Sequence, residues 1–321
     1  MTVLRWGIIG AGDIVRRRVA PAIVASPNCE LTAISRSRAE LAESFAAEFG
    51  AKRWYADWRE MLADKEIDAV YVATPVFLHA EHAIAAAEAG KHILCEKPMA
   101  MNTDECDRMI EACKSNGVKL GIAYYRRFYP VLERVRQLIA SGEIGNPVIA
   151  QINSFEYVDL AADDPRGWFL EKSKSGGGPM MDFGCHRLEV LTDLFGDVRH
   201  STSIVANVKF DREVEDTAAT LLQFVSGPCA SVTVTHAARE PQDTLDIFGT
   251  KGSLHIPVLN NGDIYIKIAD TTRTESHPPH ANVHQPLIDD FTEAILNERE
   301  PRITGKTGRM IADLIDQIYE R

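Results

Sequence analysis

The chain has 321 residues, 45% of them hydrophobic, which is enough for two globular cores. A formal net charge of -11 argues against a nucleic-acid surface, and no apolar run approaches the length of a membrane span. The six cysteines are scattered without a CxxC pair, and Met1-Thr2-Val3-Leu4-Arg5-Trp6 carries no signal-peptide pattern, so a reducing, cytoplasmic location is expected.

Residues 4–9 read as a buried strand, broken by Gly10-Ala11-Gly12 and followed by a helix from Asp13. Strand, glycine turn and helix make the phosphate-binding turn of a dinucleotide fold. Gly10 permits the tight turn and Gly12 lets a pyrophosphate approach the backbone. The helix start at Asp13 and Ile14 then supplies amide donors and positive dipole. Val15 stands where a third small residue is usual, which predicts looser helix–strand packing. Arg16, Arg17 and Arg18 follow; a solvated face is expected for at least two, with one able to reach a cofactor phosphate. Pro21 predicts a kink or a short break in this helix.

Residues 31–34 form the second strand, and its end decides the cofactor. A carboxylate there binds a ribose 2′-hydroxyl, whereas a 2′-phosphate wants basic or hydroxyl groups. The chain offers Ser35-Arg36-Ser37-Arg38 and no acid, so NADP is expected, with NAD as the alternative. Ser37 can also cap the helix that starts near Arg38.

Further α/β units follow: strand at Trp54-Tyr55, helix 57–63, strand 69–73, helix 80–89 closed by Gly90, and strand 92–95. Ligands in open α/β sheets sit beyond the carboxyl ends of the strands. Thr74, Pro75, His79 and Glu96 therefore fall on the cofactor side, and Lys97, before Pro98, is placed to touch a substrate. Thr103 is expected to cap the next helix, with Cys106 rather than an acid three positions on. Cys106 and Cys113 share one helix face and are expected to be buried thiols. Residues 119–123 close a doubly wound parallel sheet, giving a first domain over 1–123.

After Ala123 the pattern changes, and a second domain is expected over 124–321. Tyr124-Tyr125-Arg126-Arg127-Phe128-Tyr129-Pro130 is aromatic and basic and opens a helix over 131–141. A turn cluster at 142–147 and a strand at 148–155 follow. Residues 161–175 read as a polar loop anchored by Trp168 and Phe169. Next comes Gly176-Gly177-Gly178-Pro179, leading to Asp182 and His186. Four apart on a helix, these two share one face, and a carboxylate beside an imidazole stabilises the imidazolium. The glycine run lets a ligand or another backbone come close.

Strands are expected at 203–209, 218–224, 230–236, 245–248, 253–256 and 264–268, joined by turns at Gly227-Pro228, Lys251-Gly252 and Asn261-Gly262-Asp263. They predict one large antiparallel sheet whose free face a second subunit can cover, as a dimer or tetramer. His277, His280 and His284 resemble a ligand set, but Pro278 and Pro279 prevent a helical HxxxH and no acid or cysteine completes it, so no metal is expected. Residues 285–297 and 306–319 read as closing helices.

Gly10-Ala11-Gly12, Glu96-Lys97-Pro98, Tyr125-Arg126-Arg127-Phe128, the 176–186 stretch and Gly249-Thr250-Lys251-Gly252-Ser253-Leu254, in this order, resemble the glucose–fructose oxidoreductase / inositol dehydrogenase family, Gfo/Idh/MocA. The resemblance covers nearly the whole chain. It implies an α/β protein with an N-terminal Rossmann domain and a C-terminal α+β domain bearing a large, mostly antiparallel open sheet. It also implies oxidation or reduction of a sugar, cyclitol or related polyol by a pyridine nucleotide. Carried over by position, Lys97 binds the reacting hydroxyl or carbonyl, Asp182 orients, and His186 donates and accepts the proton. Lys97 and His186, from different domains, would meet around one oxygen. Tyr125, Arg126, Arg127, Trp168 and Lys172 are expected to contact the sugar. Val15, Ser35 and Glu189 depart from the family's pattern. Two other classes fit the same motifs, a non-redox hydrolase or lyase cycling hydride through a tightly held cofactor and a catalytically silent regulator.

Overall fold

A computed structural model describes residues 3–161 and 163–320; Met1, Thr2, Arg321, and Ala162 of the expected polar loop lie outside the described residues. The chain divides into two compact units, Met1–Tyr125 with Asn282–Ala312, and Arg126–Ala281 with Asp313–Arg321. The boundary expected at 123/124 thus moves by two residues, and residues 282–312, expected in the second domain, belong to the first.

The first unit is built on six parallel strands: β1 (Leu4–Ile9), β2 (Cys29–Ser35), β3 (Arg53–Tyr55), β4 (Ala69–Val72), β5 (His92–Cys95) and β6 (Leu120–Ile122). Their order is β3-β2-β1-β4-β5-β6. This is the doubly wound arrangement whose direction of winding reverses beside β1, the place where such folds bind ligands. Helices α1 (Ala20–Ala25), α2 (Ala39–Phe49), α3 (Trp58–Leu62), α4 (His79–Glu88) and α5 (Thr103–Ser115) supply the crossovers. The central strands are buried on both faces, hence the unbroken apolar runs Ala69-Val70-Tyr71-Val72 and Ile93-Leu94-Cys95.

Two local expectations change. The helix that starts at Asp13 opens into a π turn over Val15–Val19, closed by Ala20 N–H donating to Val15 O. Val15 is wholly buried, so the wider turn accommodates the larger side chain and the packing is kept. At α5 the cap is Asn102, not Thr103. The Asn102 side chain accepts from Glu105 N at 2.9 Å, and the Glu105 carboxylate reaches back to Met101 N at 3.1 Å.

The second unit holds α6 (Pro130–Ala140), β7 (Pro147–Tyr157), α7 (Lys172–Ser175), α8 (Cys185–Phe195) and seven further strands. These are β8 (Val198–Ala206), β9 (Thr217–Phe224), β10 (Cys229–Thr235), β11 (Ala237–Gly249), β12 (Gly252–Ile256), β13 (Asp263–Ile268) and β14 (Thr271–Ser276). They form an eight-stranded sheet in the order β14-β13-β12-β11-β7-β10-β9-β8. It is antiparallel except where β7 runs parallel to β10. One face buries Ala150, Ile152, Leu245, Ile247, Val232, Val234, Leu222 and Phe224, the period of two expected for a one-sided sheet, and Phe195 of α8 packs on Phe224 at 5.3 Å. β8 begins five residues before the expected strand, and β14 was not expected at all: as an exposed edge it carries only Thr, Arg, Glu and Ser, with no apolar face to detect.

Helix α9 (Gln285–Leu296) shows why the chain returns to the first unit. Its Phe291 lies 5.6 Å from Trp6 of β1. It also presses on Gly121 of β6, where any Cβ would come within 2.7 Å of the Phe291 ring. Burying one Phe is worth about 2 kcal/mol. Helix α10 (Gly305–Ile318) divides between the units at Asp313. Among the described residues no helix is long and apolar enough to cross a membrane.

Candidate functional site

In the first unit the expected cofactor residues gather at the carboxyl ends of the strands. Gly10 follows β1 with φ +91°, and a Cβ there would meet Thr74 Cγ2 at 2.6 Å and Thr74 N at 2.9 Å. Glycine is therefore required twice, for its backbone angle and for the turn after β4 that lies against it. The Gly10 amide donates to Ser35 O at 3.1 Å, which ties in the end of β2. A Cβ on Gly12 would touch nothing within 4 Å, so the turn keeps an open cradle over the helix-start amides of Asp13 and Ile14. These residues fit a dinucleotide pyrophosphate.

The end of β2 separates the four residues expected there. Ser35 is buried, Arg36 half-buried, and Ser37 and Arg38 exposed. Arg38, not Ser37, occupies the N-cap of α2 and makes no side-chain cap bond, so Ser37 has no capping role. Burial, then the neighbouring Arg38 and Arg16, push the Arg36 guanidinium below its ordinary pKa. Among the described residues no carboxylate pairs with Arg36 or Arg38, whereas Arg16 pairs with Glu48 at 3.0 Å and Arg17 with Asp13. Arg16 and Arg36 also lie over the Phe45 ring, at 4.3 and 5.8 Å. Clustered cations that repel one another fit a phosphate dianion, which would relieve the repulsion.

At the end of β5 the Glu96 carboxylate is buried rather than turned to a cofactor. It accepts Lys97 N–H at 3.1 Å and the Tyr71 hydroxyl at 2.7 Å. His284 Nε2 lies 3.6 Å away, an ion-pair distance rather than a hydrogen bond. Burial raises the Glu96 pKa, but His284, Lys97 and Tyr71 together more than offset it and hold it below its ordinary value. Glu96 thus pins the main chain of Lys97, whose bond to Pro98 is cis. His79 is also internal. Its Nε2 lies 2.7 Å from Thr74 O and its Nδ1 2.9 Å from Pro98 O. The ring lies between the turn after β4 and the turn after β5, with both nitrogens facing main-chain carbonyls and its one N–H donating to one of them. Tyr125 stacks on His284 at 4.7 Å with Arg18 5.4 Å from its ring, so it packs against this network. His284 is fully buried beside Glu96, while His277 pairs with Glu275 at 2.9 Å.

In the second unit the glycine run opens a π turn over Met180–Gly184, which continues into α8. Asp182 is one-third exposed and His186 is 2% exposed. Two of the glycines admit other parts of this chain. A Cβ on Gly177 would meet the Tyr319 hydroxyl at 2.2 Å, and one on Gly178 would meet Glu215 O at 1.9 Å. The Glu215 carboxylate accepts Gly178 N at 2.7 Å, Met180 N at 3.1 Å and the Tyr319 hydroxyl at 2.6 Å. It fixes the turn that carries Asp182.

Arg127, expected at the sugar, is half-buried and held by two carboxylates. Its Nε lies 2.5 Å from Glu189 and 3.2 Å from Asp193. That explains the departure at Glu189: its carboxyl accepts from Arg127 Nε, and burial pushes its pKa up to about 7 against the pull of that guanidinium. Arg126 is 7% exposed, and Trp168 stacks on Phe169 at 4.1 Å. Lys172 is exposed and lines a cavity of about 210 Å³ with Glu213, Glu215 and Tyr319, to which neither Asp182 nor His186 contributes. Sequence reasoning missed Glu215, His236 and the return of His284. They belong to no short motif; Glu215 and His236 flank strands and His284 precedes a helix, each a buried polar residue at an element end.

Residues 4–124 match the family model described as oxidoreductase family, NAD-binding Rossmann fold, and residues 132–255 match the GFO/IDH/MocA C-terminal domain. The chain is 31% identical to 1,5-anhydro-D-fructose reductase of Ensifer adhaerens, over 95% of this chain and 92% of that protein. It is 31% identical to D-xylose 1-dehydrogenase (NADP(+)) 2 of Haloferax volcanii, over 99% and 97%. A solved structure of levoglucosan dehydrogenase in complex with NADH and levoglucosan superposes with a TM-score of 0.91 at 27% identity, over 99% of this chain and 97% of that one.

Proposed function

The chain belongs to the Gfo/Idh/MocA oxidoreductase family, and from that premise we propose that it moves a hydride between NADP and a carbinol or carbonyl carbon of a sugar or related polyol. When bound, the nicotinamide supplies or accepts the hydride; the protein's own groups handle the oxygen and its proton. Lys97 stabilises alkoxide character on that oxygen, His186 gives or takes the proton, and Asp182 orients the imidazole. The observation that carries the reading is the Glu96 clamp, which fixes Lys97 at the same sheet end as the Gly10–Gly12 turn. The unneutralised Arg36 and Arg38 support NADP over NAD.

The test is NADP- and NAD-linked absorbance change against 1,5-anhydro-D-fructose, D-xylose, levoglucosan and myo-inositol. Lys97→Met and His186→Asn should each lower turnover by about 10²- to 10⁴-fold while NADPH still binds. Near-normal turnover in both would overturn the roles.

The chain also works as a homo-oligomer through the open face of the second unit's sheet. There Phe248, Ile149 and Cys229 stand side by side in register, and Leu221 and Ile204 are 60% and 72% exposed. Sedimentation should show a dimer or tetramer that Leu221→Glu dissociates; a wild-type monomer at micromolar concentration would overturn it. The free thiols of all six cysteines support a reducing, cytoplasmic setting.

A further inference from the structure

His236 follows β10 and is 4% exposed. Its main chain is fixed on both sides, by its N–H donating to Asp216 O at 2.8 Å and its carbonyl accepting Val158 N at 2.9 Å. The Phe183 ring meets the imidazole edge-on, with centroids 5.0 Å apart. Arg212 Nη2 lies 3.2 Å from Nδ1. A guanidinium can only donate, so Nδ1 must present its lone pair, and the ring's one proton then sits on Nε2. That N–H is buried without a hydrogen-bond partner among the described residues, and it lies 3.8 Å from Asp182 Oδ2. The donor cannot swing away, because Arg212 is itself held by Val158 O at 3.4 Å and Glu215 O at 3.3 Å. The turn before Arg212 is fixed by Asp216, whose carboxylate accepts the amides of Val208, Lys209 and Phe210 at 2.8–3.0 Å.

We propose that His236 is a positioning residue: held as the Nε2–H tautomer by Arg212, it donates to the Asp182 carboxylate during turnover and fixes the group that orients His186. The inference rests on the roles given above to Asp182 and His186. Asp182 is one-third exposed, so rotation of its side chain can close the gap to about 3 Å, and catalytic hydrogen bonds often tighten only when substrate arrives. A buried N–H with no other acceptor gives the carboxylate a fixed orientation to prefer.

The experiment compares His236→Leu, which keeps the volume without a donor, with His236→Gln, whose amide N–H reaches about as far as Nε2. Both are combined with Asp182→Asn. Turnover is followed on whichever of the four compounds above reacts fastest, and NADPH affinity by fluorescence. His236→Leu should lower kcat by on the order of 10- to 100-fold with NADPH affinity unchanged, and His236→Gln should regain most of it. Added to Asp182→Asn, His236→Leu should cost little more. Equal losses in Leu and Gln, or a full additional loss on top of Asp182→Asn, would overturn the proposal. Nitrogen-15 spectra of the imidazoles, assigned by difference against His236→Gln, should show a protonated Nε2 and a bare Nδ1 in the resting protein. The opposite pattern would overturn this inference and leave the roles of Asp182 and His186 standing. Intact turnover in Asp182→Asn would instead overturn those roles, and the proposal with them.

Discussion

Glu215→Gln isolates how much the buried carboxylate beneath the glycine run contributes. In the wild type, Oε2 accepts Gly178 N and Oε1 accepts both Met180 N and the Tyr319 hydroxyl. Glutamine has the same shape, but one of its two terminal atoms is an NH2 that cannot accept. If the amide nitrogen replaces Oε2, it faces the Gly178 amide donor to donor. If it replaces Oε1, it faces Met180, and the tyrosine hydroxyl must turn to accept. Either way one charge-assisted bond is lost, worth about 1.5–3 kcal/mol, and a buried N–H is left unpaired. Burial of Glu215 leaves no water to repair the loss. The expected destabilisation is about 2–4 kcal/mol, a fall in Tm of roughly 4–16 °C for a unit of this size. Calorimetry of wild type and variant reads it directly. Because the same turn carries Asp182, kcat should fall too, while NADPH affinity stays put. A Tm within 1 °C of wild type (about the limit for a lost surface contact) would show that the glycine run does not depend on this carboxylate.

Arg36→Ala and Arg38→Ala should each raise the KM for NADP by about 10- to 100-fold and leave that for NAD nearly unchanged, read from steady-state kinetics; parallel rises for both cofactors would remove the 2′-phosphate role. Gly10→Ala places a Cβ at 2.6 Å from Thr74 in a left-handed turn, and should cost about 3 kcal/mol in chemical unfolding and abolish measurable NADPH binding. Glu189 has its carboxyl pushed from 4.5 up to about 7, so the folded chain holds a proton that the unfolded chain has lost. Its contribution is therefore full below pH 4.5 and disappears as the pH rises to about 7, a loss of about 3 kcal/mol. Unfolding of Glu189→Gln across that range should lack this fall, and an unchanged pH slope would contradict the shift.

Much of the first unit can be read directly from residue order. Apolar runs bounded by Gly10, Gly90 and Pro98 mark strands buried on both faces, and their ends mark the cofactor side. Capping was misplaced by one residue because Asn102 and Thr103 are both good caps, and only the geometry of Glu105 decides between them. The return of residues 282–312 was hidden for a different reason. An amphipathic helix declares that it has a buried face, not which sheet it covers, and Phe291 finds its place only against Trp6 and Gly121. Arg127 and Glu189 stand 62 residues apart, so their pairing could not be foreseen. The glycine run was legible as a close approach, but its occupants, Tyr319 and Glu215, come from 35 or more residues away.

Both units solve the same mechanical problem in the same way. A side chain that must act on substrate cannot also be spent on holding its own backbone. In the first unit the holding is done by Glu96, which accepts the Lys97 amide from within the core. In the second it is done by Glu215 under the turn of Asp182, and by Asp216 under the turn that leads to Arg212. A carboxylate suits the task because two oxygens offer several acceptor sites, and its burial is tolerable only when those sites are filled. The division has a consequence for mutants. Replacing a holding group such as Glu215 should lower stability and turnover together. Replacing Lys97 or His186 should lower turnover with stability intact or improved, because an active site carries groups chosen for chemistry rather than for packing.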